Sequence, residues 1–146
     1  GPLRARGFLL ADDALAAAAA TALLYEAAAP EGSEVRIAAL DGVGRAVREA
    51  PLDPAWTILV VRGVPQAAEL LRRGIPGPVN LGGVHLRPGA REVLPYLFLT
   101  PEDERLAAEL LAGGHEIFAQ DLPGNPRRDL RPLLLPEPPA PAERSP

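Results

Sequence analysis

The chain has 146 residues, 47% of them hydrophobic and 23% charged, with a net charge of −4. That is the composition of one globular domain, with no electrostatic reason to bind nucleic acid or an anionic membrane. Zero cysteines exclude a disulfide framework, a thiolate metal site and a cysteine nucleophile, and two histidines disfavour a histidine-rich metal site.

No apolar run reaches the roughly 20 residues of a membrane-spanning helix, and no signal peptide is visible. A cytoplasmic location is expected. The sequence holds no methionine and opens Gly1-Pro2-Leu3, which leaves open that the natural N-terminus lies further upstream.

In chain order, Gly7-Phe8-Leu9-Leu10-Ala11 is a continuous apolar run, the pattern of a strand buried on both faces. Asp12 or Asp13 is expected to cap a long alanine-rich helix over Ala14–Ala29, with Leu15, Leu23, Leu24 and Tyr25 as its larger apolar side chains. A second strand is expected over Glu34–Leu40. A short helix follows over Gly42–Ala50, with Val43, Ala46 and Val47 as its apolar side.

Trp56–Val61 is the strongest strand, β-branched and apolar. A helix follows over Pro65–Arg73, with proline in its first turn and Ala68, Leu70 and Leu71 inward. Pro78 to Gly89 then reads as a short buried strand (Val79, Leu81), the pair Gly82-Gly83, a lone His85 and a turn at Arg87-Pro88-Gly89-Ala90. Two adjacent glycines suit positive φ or a close approach, and Pro-Gly suits a type II turn. Val84-His85-Leu86 and Arg91–Leu94 are expected to pair across that turn as a hairpin.

Tyr96–Leu99 is a further strand. Thr100-Pro101-Glu102-Asp103 is a helix start with a capping hydroxyl, proline at N1 and acids in a solvated first turn. Ala107, Ala108, Leu110 and Leu111 are its expected inward residues, and Glu116–Gln120 is the last strand. The predicted fold class is α/β: a doubly wound, mostly parallel sheet with helices on both faces and a small hairpin near residues 84–94. Residues 1–135 are expected to form the domain and 136–146 a proline-rich disordered tail.

Ligands of such a sheet bind outside the carboxyl ends of its strands. Those ends carry Asp12-Asp13, Asp41-Gly42, Arg62-Gly63, Asn80 with Gly82-Gly83, Thr100 and Gln120-Asp121. Arg62 and the amides around Gly82-Gly83 suit an anion such as phosphate, although polar residues end strands in proteins generally. Asp12-Asp13 suits a helix cap, and also magnesium or the orienting of a histidine.

Asp41-Gly42-Val43-Gly44-Arg45-Ala46-Val47 mimics a dinucleotide fingerprint, but Val47 stands at its third glycine, so it reads as a turn. No glycine loop is followed by a Walker-type lysine. His85 has no serine or acid at a triad spacing, and His115, at a helix C-terminus, reads as structural.

Asn80-Leu81-Gly82-Gly83-Val84-His85-Leu86-Arg87-Pro88-Gly89-Ala90-Arg91 resembles the Asn-Val-Gly-Gly-Met-His-Phe segment and basic turn of the mannose/sorbose-type B component of the bacterial sugar phosphotransferase system. Leu10-Ala11-Asp12-Asp13 is similar to that family's Val-Val-Asp-Asp strand end, and Ala27-Ala28-Ala29-Pro30 to its Met-Ala-Ala-Pro helix end. Val60–Pro65 and Asp121–Leu130 agree in order, and the resemblance spans about residues 5–135.

The resemblance implies a phosphocarrier. It would take a phosphoryl group from the phosphohistidine of an A component and pass it to a sugar entering through membrane C and D components, with no cofactor, no metal and no nucleic acid. Arg62, Gly63, Gly82, Gly83, His85 and Asp13 would be neighbours of the phosphate. The family's acceptor pattern, Asp-Asp/Asn-Arg-Leu-Ile/Val-His-Gly-Gln, is absent, and neither His85 nor His115 matches it. The strand and loop that carry the pattern would precede residue 1. If that strand is central, a slot is expected between Phe8–Ala11 and Ile58–Val61, filled by a homodimer partner or a swapped segment. The second reading is a homologue that docks the A component and transfers nothing.

Overall fold

A computed structural model describes residues 7–18, 20–21, 24, 27–29, 31–49 and 57–135. The chain forms two compact units, Gly1–Pro76 and Gly77–Pro146.

In the first unit, β1 (Gly7–Ala11), β2 (Glu34–Ala38) and β3 (Thr57–Val61) form a parallel sheet in the order β2-β1-β3. Gly7 lies opposite Glu34 on one side and Thr57 on the other, and the register runs unbroken to Ala11, opposite Ala38 and Val61. The apolar run thus occupies the central strand, with Leu9 and Ala11 buried. This corrects the expectation of a slot. β1 and β3 pair directly, so the backbone groups on their facing edges are satisfied and nothing needs to be inserted there. β3 pairs with no second strand among the described residues.

Helix α1 spans Asp13–Ala17 and ends at Ala18, whose φ of −106° and ψ of 79° leave the helical region. Much of the expected continuation to Ala29, Leu23 and Tyr25 included, lies outside the described residues, and Leu24 is exposed. A single 3₁₀ turn at Leu40–Gly42 leads into α2 (Val43–Glu49), so the glycine-containing segment after β2 is a turn. Helix α3 (Val64–Arg72) starts behind an extended Gly63, with Pro65 in its first turn, and buries Val64, Ala67, Ala68, Leu70 and Leu71 at helical spacing. The core joins Leu9, Ala11, Val43 and Leu70, with Leu59 and Val61 packed against them. Val47, expected inward, is exposed.

In the second unit, β4 (Val79–Asn80) runs parallel to β7 (Ile117–Ala119), and β8 (Arg128–Asp129) pairs antiparallel to β7. β5 (Arg91–Leu94) and β6 (Leu97–Leu99) form an antiparallel hairpin. The hairpin is therefore displaced from its expected place. The turn at Arg87–Ala90 forms, with Ala90 N–H donating to the Arg87 carbonyl at 3.0 Å and Gly89 at φ 82°, but it does not close the pair. Val84 instead bridges Leu97 in parallel, donating to the Tyr96 carbonyl and accepting from Phe98 N–H. His85 lies outside the hairpin.

Helix α4 (Pro101–Ala112) packs against β6 and against α5 (Arg131–Leu134). Thr100 and Asp103 close a reciprocal capping box at 3.1 Å in each direction. Asp103 is only 2% exposed, which corrects the expectation that all three first-turn acids face solvent. Its carboxylate also accepts from the Arg87 guanidinium, and Arg87 donates to the Phe98 carbonyl at 3.4 Å. This pair draws the segment after His85 onto α4 and away from β5. Among the described residues, no helix is long and apolar enough to cross a membrane.

Asp103→Ala removes a cap and leaves Arg87 without its carboxylate, so it is expected to cost about 2–3 kcal/mol in urea unfolding. Glu102→Ala, on the exposed side of the same turn, is expected to stay within about 0.5 kcal/mol of the parent.

Candidate functional site

The carboxyl ends of β1, β2 and β3 are joined by two aspartates. Asp12, directly after β1, accepts from Leu15 N–H at 3.0 Å and so caps α1. Its other oxygen accepts from Arg62 Nε and Nη2, both at 2.7 Å. Arg62 follows β3 and keeps 66% of its side chain exposed. One edge of the guanidinium is thus fixed while the rest faces water. The Leu15 amide, followed by the Arg62 side chain, holds the Asp12 carboxyl below its ordinary value.

Asp13 accepts from Leu40 N–H at 2.7 Å, tying the start of α1 to the turn after β2. Gly63 is the residue before α3, where the backbone leaves the strand. The structure therefore brings Asp13, Arg62 and Gly63 to one set of strand ends and adds Asp12 as the group that orients Arg62. Among the described residues, no group of three or more histidine, aspartate or glutamate side chains gathers in metal-binding geometry.

The second unit carries Gly82, Gly83 and His85 just beyond β4. There the Asn80 side chain clasps the end of β7. Its Nδ2 donates to the Gln120 carbonyl at 3.1 Å, and its Oδ1 accepts from Gln120 N–H at 2.9 Å. Gln120 in turn donates from Nε2 to the Pro123 and Asn125 carbonyls, which fixes the loop after β7.

A Cβ on Gly82 would stand 3.1 Å from both Asn80 Nδ2 and the Gln120 carbonyl oxygen, whereas one on Gly83 would meet nothing within 4 Å. The positive-φ glycines are Gly32, Gly74, Gly89 and Gly114. The glycine pair is therefore not there for a left-handed backbone. Close approach explains Gly82, and nothing in the structure explains Gly83.

The His85 side chain is exposed, and its carbonyl lies 3.5 Å from Arg87 Nη1. His115 follows the C-terminus of α4, where its backbone amide donates to the Leu110 carbonyl at 3.0 Å. Sequence reasoning did not find Asn80 as a clasp or Arg87 as an anchor. The signal for Asn80 was its place at a strand end beside glycines, where a side-chain amide can stand in for a peptide group.

No protein-family model matches this chain, and no curated protein does either. Solved structures do. The IIB domain of the sorbose permease from Klebsiella pneumoniae superposes with a TM-score of 0.76 at 21% identity, covering 90% of this chain and 81% of that one. The N-acetylgalactosamine-specific IIB component 1 from Escherichia coli gives 0.74 at 22% identity, covering 86% and 82%. A phosphotransferase-dependent N-acetyl-galactosamine IIB component from Streptococcus pyogenes gives 0.77 at 19% identity, covering 88% and 82%. The fold is that of the phosphotransferase-system B components, as the resemblance in sequence implied.

Two measurements test this geometry. The folded-state carboxyl value of Asp12 lies below its unfolded one, so the contribution of its bonds is full above the ordinary value of 3.8. It is lost as pH falls through the lower folded value. Arg62→Gln is expected to move the Asp12 titration, followed by carboxyl-carbon NMR, back toward that ordinary value; an unmoved titration would mean the pair is not formed. Gly82→Ala is expected to destabilise by about 1–3 kcal/mol, because Asn80 is held on both sides and cannot give way. Gly83→Ala is expected to leave the midpoint of denaturant unfolding unchanged.

Proposed function

We propose that the chain is a phosphoryl-transfer component of a mannose/sorbose-type sugar phosphotransferase system, working between a phosphorylated A component and a sugar brought in by membrane components. The fold shared with sorbose and N-acetylgalactosamine IIB structures carries this reading. Arg62, pinned by Asp12 and open to solvent at the strand ends, adds chemical support.

In such a transfer a P–N bond to the donor imidazole breaks as one to the acceptor imidazole forms. That bond then breaks as the sugar oxygen takes the phosphoryl group and its hydroxyl proton is released. The protein's task is to position the group and offset its charge. Arg62 is the donor suited to phosphate oxygens. Gly63 lets a phosphoryl group come close to the backbone at the same strand ends, and Asp13 is its neighbour there. Neither His85 nor His115 stands in the acceptor pattern, so neither is the acceptor.

That same absence favours a second reading, a regulatory homologue that docks the A component without carrying phosphate. The test is incubation with labelled phosphoenolpyruvate, the general phosphotransferase proteins and the A component. Transfer is expected to appear as acid-labile phosphohistidine on the protein, with the rate falling about 100-fold in Arg62→Gln. Complex formation without label would establish the regulatory reading instead. Label on His85 would overturn the assignment of the acceptor.

A further inference from the structure

The second unit contains a depression of about 460 Å³ beside β7, lined by residues between Leu111 and Arg131. Its apolar floor includes Leu111 and Ile117, both buried. Arg127 lies over the Phe118 ring, with its guanidinium carbon 4.3 Å from the ring centre. A cation over a ring face is held there without spending an N–H donor, so the donors of Arg127 remain to be matched.

Seven described arginines (Arg36, Arg62, Arg72, Arg73, Arg87, Arg91 and Arg105) pair with a carboxylate. Arg127 makes no such pair among the described residues. Arg131 spends Nη1 on the Leu111 carbonyl at 3.0 Å, which fixes the guanidinium at the wall and leaves its other donors available. The two remaining charged walls are carboxylates. Asp129 accepts from the Arg131 backbone N–H with one oxygen, and Glu116 is exposed. His115 completes the rim.

We propose that this depression binds a phosphorylated polyol, a sugar phosphate in chemical class. Each part of the lining has a complement in that class. Two guanidiniums meet a phosphate group with forked donors. Carboxylate oxygens on Glu116 and Asp129 accept from ligand hydroxyls. The floor takes the C–H face of a sugar ring, and the volume falls in the range of small-ligand sites. A simple anion would leave the two carboxylates and the floor unused. A neutral sugar would leave Arg127 unmatched. Every lining residue belongs to the second unit, so this site does not involve Asp12 or Arg62 and stands whether or not the proposed transfer does.

The test is calorimetric titration of the whole chain with glucose 6-phosphate, glucose and inorganic phosphate. Glucose 6-phosphate is expected to bind, with both of the others at least about tenfold weaker. Arg127→Gln is expected to weaken glucose 6-phosphate by about tenfold or more. Arg128→Gln, on the neighbouring residue outside the lining, is expected to leave it unchanged. Phe118→Leu, which removes the ring that orients Arg127, is expected to weaken it as well.

Equal affinity for glucose or for inorganic phosphate would overturn the assigned class. The absence of binding, or binding indifferent to Arg127→Gln, would overturn the site. Loss of binding in Arg62→Gln would move the ester to the ends of β1 and β3 and equally overturn it.

Discussion

Strand β1 is hydrogen-bonded along both edges, and the arrangement of the first unit follows from that. A run of five residues, four of them apolar, suits a central strand flanked on both sides, and here Gly7, Leu9 and Ala11 are buried while Phe8 and Leu10 are half-buried. Once β2 and β3 flank it in parallel register, the residues just past their carboxyl ends are brought to the same edge. Asp12, the turn at Leu40 and Arg62 become neighbours although they lie far apart in the chain. Asp12 then satisfies a helix amide and a guanidinium together. Arg62 acquires a fixed orientation that an exposed arginine does not otherwise have.

The second unit is governed by a different pair. Asp103 is the one charged side chain that is buried among the described residues, and burial of a carboxylate is tolerated only with full satisfaction. Thr100 N–H and Arg87 supply it. The cost of leaving Arg87 elsewhere therefore sets the path of the segment from Gly82 to Ala90. It also leaves β6 with β5 on one edge and Val84 on the other. The capping box that starts α4 and the anchor of the histidine-bearing loop are the same carboxylate.

Much of this was legible in the sequence, because strands such as Thr57–Val61 and helix starts such as Thr100-Pro101 are set by local chemistry. What escaped was non-local. The turn at Pro88-Gly89 was read correctly, but its partner was set by Asp103, sixteen residues from Arg87, and no spacing rule joins them. The proline-rich stretch after Leu122 hid β8 and α5, although Leu130 within it is fully buried. Of the candidate site, the residues at the strand ends could be named one by one. The bond between Asp12 and Arg62 spans fifty positions and became visible only once the strands were ordered. The pair Gly82-Gly83 looked symmetrical as text, yet its two members meet different surroundings.

The Asn80 clasp has a consequence for how the sheet of the second unit ends. In a parallel ladder the next backbone carbonyl of β4 would have received the Gln120 amide. A side-chain carboxamide takes that place and also returns a donor to the Gln120 carbonyl. The ladder thereby gains one more rung after the main chain has turned aside at Leu81, and the peptide groups beyond are released from this sheet, those of Val84 going to β6 instead. A carboxamide has no proton to gain or lose across the acid range, so acidity that discharges Asp12 leaves this rung closed.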